Sequence, residues 1–206
     1  LAKDEYFKGK KEWFYRAAGC IPVDRSIHDE NAKSEAREIL NNKGAIGLFP
    51  EGTRNEVTSK EAEIDKVAKI LGISHDEVLD KLKNKCTRTT QVNLLIELSN
   101  SHKITKDELK EYILDPDESL LKLLKKKIIT KDEYKESLLL PFKFGAVSLA
   151  KKTGSLIVPY ATVGNYNGER DQLITRIGSP IDVSNMELED ANKLLREKII
   201  ELMQKI

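Results

Sequence analysis

The stretch Ala45-Ile-Gly-Leu-Phe-Pro-Glu-Gly-Thr-Arg-Asn55 joins a short apolar run to a polar turn. The apolar half has the composition of a buried strand, which Pro50 would end. Gly52 permits a backbone turn that can present N–H groups to an anion. Arg54 offers a planar guanidinium that matches two phosphate oxygens. The stretch predicts a strand followed by an anion-binding loop; the alternative is a surface turn with a solvated ion pair between Glu51 and Arg54.

A second segment, Gly19-Cys-Ile-Pro-Val-Asp-Arg25, has a similar pattern of apolar residues followed by charge. It predicts another strand that ends at a basic residue. Because ligands of open α/β sheets bind beyond the carboxyl ends of the strands, Arg25 and Arg54 would meet at one anionic ligand. The alternative is a structural turn at Asp24 and Arg25.

The two ends of the chain carry most of its glycine, proline and aromatic residues, and they alternate between strand and helix patterns. The predicted strands are 45–49, 156–163 (interrupted by Pro159) and 173–177. The predicted helices are 31–43 with Gly44 as its stop, 142–152 closed by Gly154, and one opened by a capping box of Ser184 and Glu187. This alternation predicts an α/β fold with a mainly parallel sheet flanked by helices.

The middle of the chain, rich in lysine, glutamate and leucine, contains a repeat of isoleucine, Ser or Thr, and Glu three residues later. The repeat begins at Ile73, Ile104 and Ile129. Each copy has the pattern of a capping box, so three helix starts are expected, with the isoleucine packing as a hydrophobic staple.

We therefore divide the chain into a discontinuous α/β domain, residues 1–55 and 141–206, and an all-helical insertion, residues 56–140. One hypothesis makes the insertion a lid or a docking surface for a protein partner. The other makes it a tolerated surface insertion, because long loops cost little closure entropy.

Composition excludes several classes of function. The chain has 206 residues with 35 basic and 34 acidic side chains, so no global charge attracts nucleic acid. Cys20 and Cys86 are too few for a disulfide framework or a metal-ligand cluster, which indicates a reducing compartment. No run reaches the ~18 apolar residues of a membrane span.

Five segments, taken in order, resemble the motifs of the glycerolipid acyltransferase family typified by 1-acylglycerol-3-phosphate acyltransferase. These segments are Ala2-Lys-Asp-Glu-Tyr-Phe7, Gly19-Cys-Ile-Pro-Val-Asp-Arg25, Phe49-Pro-Glu-Gly-Thr-Arg54, Pro141-Phe-Lys-Phe-Gly-Ala146 and Val158-Pro-Tyr-Ala-Thr-Val163. The third is the most specific signature. The resemblance covers both flanks and excludes the insertion.

The resemblance implies transfer of a fatty acyl group from an acyl thioester to the free hydroxyl of 1-acylglycerol-3-phosphate, giving phosphatidic acid in phospholipid biosynthesis. It implies that the acceptor phosphate binds to Arg25, Glu51, Gly52, Thr53 and Arg54. It also implies that Pro159 shapes the acyl side of the pocket. No metal or tightly held cofactor is implied, and the thioester is that of coenzyme A or of acyl carrier protein. Two alternatives remain: a non-catalytic phospholipid-binding protein, or an acyltransferase for another acceptor.

The family's catalytic dyad, His-x-x-x-x-Asp, does not precede Gly19. We expect it upstream of Leu1, which would leave this chain inactive alone. The same spacing occurs at His75 with Asp80 and at His102 with Asp107, but both pairs lie at starts of the repeat helices, where a polar residue has a structural explanation.

The segment Tyr6-Phe-Lys-Gly-Lys-Lys-Glu-Trp-Phe-Tyr15 mixes aromatic residues with lysines. Such a mixture suits a membrane interface, with rings at headgroup depth and lysines near anionic lipid. The alternative is a helix whose aromatic residues join the core. With a lipid substrate, the first interpretation places the protein on the cytoplasmic side of a membrane, either peripheral or anchored through a segment before Leu1.

Overall fold

A computed structural model describes residues 2–24, 29–83, 85, 87–164 and 173–203. The helices are α1 (Glu12–Ala17), α2 (Glu30–Asn41), α3 (Glu61–Leu71), α4 (His75–Leu82), α5 (Thr89–Asn100), α6 (Lys106–Tyr112), α7 (Pro116–Lys125), α8 (Lys131–Glu136), α9 (Gly145–Thr153) and α10 (Leu188–Met203). The strands are β1 (Ala2–Lys3), β2 (Pro22–Val23), β3 (Tyr160–Gly164) and β4 (Leu173–Ile177).

The chain forms two compact units. The first consists of Leu1–Pro50, Lys143–Ile157 and Pro180–Lys193. The second consists of Glu51–Phe142, Val158–Ser179 and Leu194–Ile206, so it contains the whole helical segment that follows the polar turn.

In the second unit, all three predicted capping boxes are confirmed. At α6, the Glu108 N–H donates to the Thr105 hydroxyl at 3.1 Å, and the Thr105 N–H donates to the Glu108 carboxylate at 2.7 Å. Ser74 with Glu77 and Thr130 with Glu133 do the same at α4 and α8. These hydrogen bonds satisfy N–H groups that the first helical turn leaves without partners, so each helix begins at a defined residue.

A left-handed turn precedes each capping box. The residues with positive φ are Gly72 (71°), His102 (58°) and Lys127 (59°), each just after the end of a helix. The chain therefore repeats one unit three times, a helix, a left-handed turn, an isoleucine and a capped helix. The three hairpins pair α3 with α4, α5 with α6, and α7 with α8.

The hairpins share one apolar core, which lies in the second unit. The staple residues Ile104 and Ile129 are buried in it, and Ile73 packs against it. Each fully buried side chain of this size contributes about 1.5–3 kcal/mol. The most completely buried residues are Val57, Val67, Val78, Leu82, Val92, Leu95, Ile113, Leu120 and Leu123.

One half-buried polar cluster joins α5, α7 and α8. The Asp117 carboxylate accepts hydrogen bonds from the Gln91 amide at 2.7 Å and the Tyr134 hydroxyl at 3.0 Å. Burial and the Asp117 charge both raise the pKa of Tyr134, so its hydroxyl remains a donor. These hydrogen bonds help to fix the relative positions of the three helices.

In the first unit, one apolar cluster lies between α2 and α9. Helix α2 begins after Asp29, whose carboxylate accepts from the Ala32 N–H at 3.0 Å. The helix ends at Asn41, and the residue in the left-handed region is Lys43 rather than the predicted stop at Gly44. Gly44 is required for another reason: a Cβ there would lie 2.7 Å from the Ile39 Cγ2 atom.

The sheet differs from the prediction. Strand β3 pairs with β4 in antiparallel register, with Thr162 opposite Thr175, and the predicted strand at 173–177 is confirmed. A mainly parallel sheet is not seen in the part of the chain that the structure describes, where the parallel pair β1 and β2 is two residues long. The fold is therefore α/β only at a coarse level.

Two further local predictions need correction, and one is confirmed. Residues 45–49 form no strand, and Phe49 is 76% exposed. A buried strand needs a neighbouring strand to pair with and packing on both faces of the sheet. The Ser184 N–H donates to the Asp182 carboxylate at 2.9 Å rather than to Glu187, and α10 begins only at Leu188. Helix α9 ends before Gly154, as predicted.

Candidate active site

The polar turn of the stretch 45–55 forms a loop, residues 51–55, which we call the motif loop. Gly52 has a φ of 68°, in the left-handed region that a non-glycine residue rarely adopts. Thr53 and Arg54 are exposed, and Glu51 is half-buried. Among the residues that the structure describes, none forms an ion pair with Arg54. The ion pair of the surface-turn alternative is therefore not formed.

The Glu51 carboxylate is directed toward the returning chain. It accepts a hydrogen bond from the Leu140 N–H at 2.7 Å. Burial raises the pKa of the Glu51 carboxyl, while the Leu140 N–H and the positive charges of Arg88, Arg196 and Lys60 act in the opposite direction. Glu51 thus fixes the first end of the motif loop.

Arg196 of α10 binds the same part of the returning chain. Its guanidinium donates to the Glu136 carboxylate at 2.9 Å and to the carbonyl oxygens of Glu136 and Leu139, both at 3.2 Å. Three bonds from one planar fork fix the chain at the end of α8. No local sequence pattern marks Arg196, since it lies on a helix far along the chain from the motif.

The second end of the motif loop is fixed by Asn55, which sequence reasoning also missed. Its side-chain amide donates to the Thr90 hydroxyl at 2.9 Å and accepts from the Thr90 N–H at 3.2 Å. Its backbone carbonyl accepts from the Thr89 N–H at 3.2 Å. The position of this Asn directly after the polar turn was the local signal that could have indicated its role in holding the loop.

The predicted site residues lie at two places in the second unit. Glu51, Gly52, Thr53 and Arg54 lie in the motif loop, and Pro159 is buried in the same unit. The Pro159 carbonyl accepts from the Gly178 N–H at 2.8 Å, and its ring lies close to Gly178. Arg25 lies outside the described residues, so its meeting with Arg54 stays a prediction.

The histidines with the dyad spacing have structural partners. The His75 ring faces Asp65 at 3.1 Å and Glu61 at 3.3 Å rather than Asp80, and these contacts raise its pKa. His102 lies exposed in the left-handed turn after α5. Neither arrangement is that of a base held by the aspartate five residues later.

Two absences concern only the described ranges. No group of three or more His, Cys, Asp or Glu side chains there has the arrangement of a metal site. Likewise, no helix within those ranges is both long and apolar enough to span a membrane.

A left-handed glycine and an exposed arginine supply groups that can bind an anion. The sequence profile of the acyltransferase family matches residues 1–163, which include the motif loop and Pro159. The chain belongs to the acyltransferase family. No curated protein and no solved structure gives a significant match to it.

Proposed function

We propose that this acyltransferase moves a fatty acyl group from an acyl thioester, of coenzyme A or of acyl carrier protein, to the free hydroxyl of 1-acylglycerol-3-phosphate. The product would be phosphatidic acid, so the reaction would be a step of phospholipid biosynthesis. The observation that carries the proposal is the exposed Arg54 on a loop whose neighbouring carboxylate, Glu51, is turned toward Leu140.

The geometry of the motif loop favours a phosphate. A guanidinium binds two phosphate oxygens in one plane, which a carboxylic ester or a neutral glycerol cannot exploit. The left-handed backbone at Gly52 is of the kind that directs successive N–H groups toward an anion. Because the carboxylate of Glu51 accepts from Leu140, it does not neutralise Arg54.

The chemistry requires a phosphate anchor and a base. With the phosphate held, the acceptor's free hydroxyl attacks the thioester carbonyl, the new C–O bond forms, the C–S bond breaks, and the thiol leaves with a proton. In the family's chemistry a histidine takes the hydroxyl proton. We assign this step to neither His75 nor His102, because of the positions described above.

Binding of a short-chain 1-acylglycerol-3-phosphate below its micelle concentration, measured by calorimetry, tests the phosphate site. Arg54→Ala should weaken binding about 10- to 100-fold, since a hydrogen bond to a charged group contributes about 1.5–3 kcal/mol. Arg37→Ala removes an exposed arginine that pairs with Glu30 and serves as the matched control. Equal affinity of Arg54→Ala and the unaltered chain would overturn the proposed site.

Two comparisons separate the alternatives. A monoacylglycerol of the same chain length should bind weakly and equally to both arginine variants, because it lacks the phosphate. The chain should bind 1-acylglycerol-3-phosphate more tightly than glycerol-3-phosphate or other lysophospholipids. An acyl thioester should bind to the same chain if it is an acyltransferase, and failure of every acyl thioester to bind would favour the phospholipid-binding protein.

We also propose that α1 and the segment before it contact the cytoplasmic surface of an anionic membrane. Trp13 is 71% exposed and Phe14 54%, and neither joins the core of the first unit. Lys8, Lys10 and Lys11 lie beside them in the sequence. Aromatic rings with adjacent lysines suit the headgroup region of such a surface.

Co-sedimentation with phosphatidylserine-containing vesicles tests this contact. Trp13→Ala should reduce the bound fraction several-fold, while Ile177→Ala, which removes a side chain that is 72% exposed elsewhere, should not. Retention of Trp13→Ala equal to that of the unaltered chain would contradict the membrane contact.

A further inference from the structure

The motif loop is held at both ends by the helical insertion and the chain that returns from it. All of these residues belong to the second compact unit. Between the two anchors lie only Gly52, Thr53 and Arg54. The conformation of these three residues therefore depends on groups that the family motif does not contain.

The first anchor is the peptide group between Leu139 and Leu140. Its N–H donates to the Glu51 carboxylate at 2.7 Å, and its C=O accepts from the Arg196 guanidinium at 3.2 Å. One peptide is thus bound on both sides by charged groups, which make shorter and stronger hydrogen bonds than neutral ones. The Arg196 side chain is only 16% exposed, so water competes little for these bonds.

The second anchor is the first turn of α5. The Asn55 side chain and carbonyl take up the N–H groups of Thr90 and Thr89, which a helix start leaves without helical partners. The Thr90 hydroxyl also donates to the Ser137 carbonyl at 2.6 Å. Thr90 therefore links Asn55 to the end of α8, close in sequence to the first anchor.

From this geometry we infer that the insertion, together with Arg196 of α10, positions the acyltransferase site. Thr90 and Arg196 hold the motif loop in the conformation that binds the acceptor phosphate. This inference rests on the proposed function and extends it to residues outside the family motif. A loop ordered before binding loses less conformational freedom when the ligand arrives, so its affinity is higher.

Two variants and their controls test the inference in the full 206-residue chain. Thr90→Val removes one hydroxyl with little change of volume, and Ser101→Ala removes a hydroxyl from the other end of α5. Arg196→Gln removes the fork, and Lys198→Gln removes an exposed charge from the same helix, where it pairs with Glu201.

The affinity measurement uses the short-chain 1-acylglycerol-3-phosphate. Thr90→Val and Arg196→Gln should each weaken binding about three- to tenfold. This is the range expected when a loop that was ordered in the free protein must instead become ordered on binding. Both control variants should bind like the unaltered chain. Arg196→Lys, which keeps the charge but not the fork, should restore only part of the affinity.

A double-mutant cycle distinguishes positioning from general destabilisation. Combined with Arg54→Ala, the Thr90→Val change should have almost no further effect, because the loop no longer carries its phosphate ligand. Full additivity of the two changes would overturn the positioning role.

Amide hydrogen exchange measures the stability of the two anchors in the absence of any ligand. The amides of Leu140, Thr89 and Thr90, which donate to Glu51 and Asn55, should exchange faster in Thr90→Val and Arg196→Gln, with the α3 and α4 amides unchanged. If exchange accelerates but Arg54→Ala binds normally, the anchoring stands and the proposed phosphate site fails. If Arg54→Ala weakens binding but exchange and affinity are unchanged in both anchor variants, the inference itself is wrong.

Discussion

Replacing Glu51 by alanine and by glutamine separates its hydrogen bond from its charge. Glu51→Ala removes the acceptor of the Leu140 N–H, a charge-assisted bond of 2.7 Å. Such a bond contributes about 1.5–3 kcal/mol, part of which is offset by the cost of burying the carboxylate. We expect Glu51→Ala to lose about 1–2 kcal/mol of stability at pH 7, a fall of roughly 2–8 °C in Tm for a chain of this size.

Glu51→Gln keeps an oxygen that can accept from Leu140 but loses the buried charge. Since burial raises the pKa of Glu51 in the folded state, the folded chain binds this proton more tightly than the unfolded chain. The ionised carboxylate therefore costs stability above its folded pKa, and this cost disappears as pH falls through that value. The glutamine variant should equal or exceed the unaltered chain at pH 7, and the difference should shrink toward pH 4.

Thermal unfolding followed by circular dichroism between pH 4 and 8 measures these differences. Ligand affinity, measured in parallel, should fall strongly for Glu51→Ala and far less for Glu51→Gln. If glutamine destabilises the chain at pH 7 as much as alanine does, the carboxylate charge is essential, and the assignment of Glu51 as a hydrogen-bonding anchor is refuted.

Three further predictions concern the helical hairpins. Lys127→Gly should raise the free energy of unfolding, measured in urea, by about 0.5–1 kcal/mol. It relieves a left-handed strain of roughly 1–2 kcal/mol but increases the conformational entropy of the unfolded chain, which costs ~0.5–1 kcal/mol. Gly72→Ala should lower the free energy of unfolding by about 1 kcal/mol, and no change in either variant would contradict the strain argument. Thr105→Ala removes a capping-box hydroxyl and should cost about 1 kcal/mol in the same assay. The contacts with Asp65 and Glu61 raise the pKa of His75. The stabilisation by protonated His75 is therefore present below about pH 6.5 and is lost as pH rises through the folded-state pKa. Asp65→Asn should lower this pKa in an NMR titration, and an unchanged pKa would show that the contact with Asp65 is unimportant.

Structures that depend only on a few neighbouring residues were predictable from the sequence. The capping boxes at Ser74, Thr105 and Thr130 formed as expected, because both partners lie within one helical turn. Ser184 has the same spacing to Glu187, but its N–H donates to Asp182, two residues before it. A pattern of this kind fails when a neighbouring carboxylate accepts from the N–H that the glutamate would bind.

Signals that depend on distant segments were less predictable. The apolar run 45–49 has strand composition, but a strand is defined by its partner and not by its own residues. In the candidate site, the motif marked the loop from Glu51 to Arg54. It did not indicate Thr90 or Arg196, whose contribution comes from tertiary contacts across 35 residues and more of sequence.

The doubly bound peptide at Leu139 and Leu140 limits how the insertion can be shortened by protein engineers. A linker that joins residue 57 directly to residue 139 would delete Thr90 along with the hairpins, so lost turnover would say nothing about a lid. A more informative miniature protein would keep the first turn of α5 and the end of α8 and remove only α6 and the turns around it. The insertion thus has a variable interior and two fixed borders, and homologous chains with insertions of other lengths should be aligned from those borders inward.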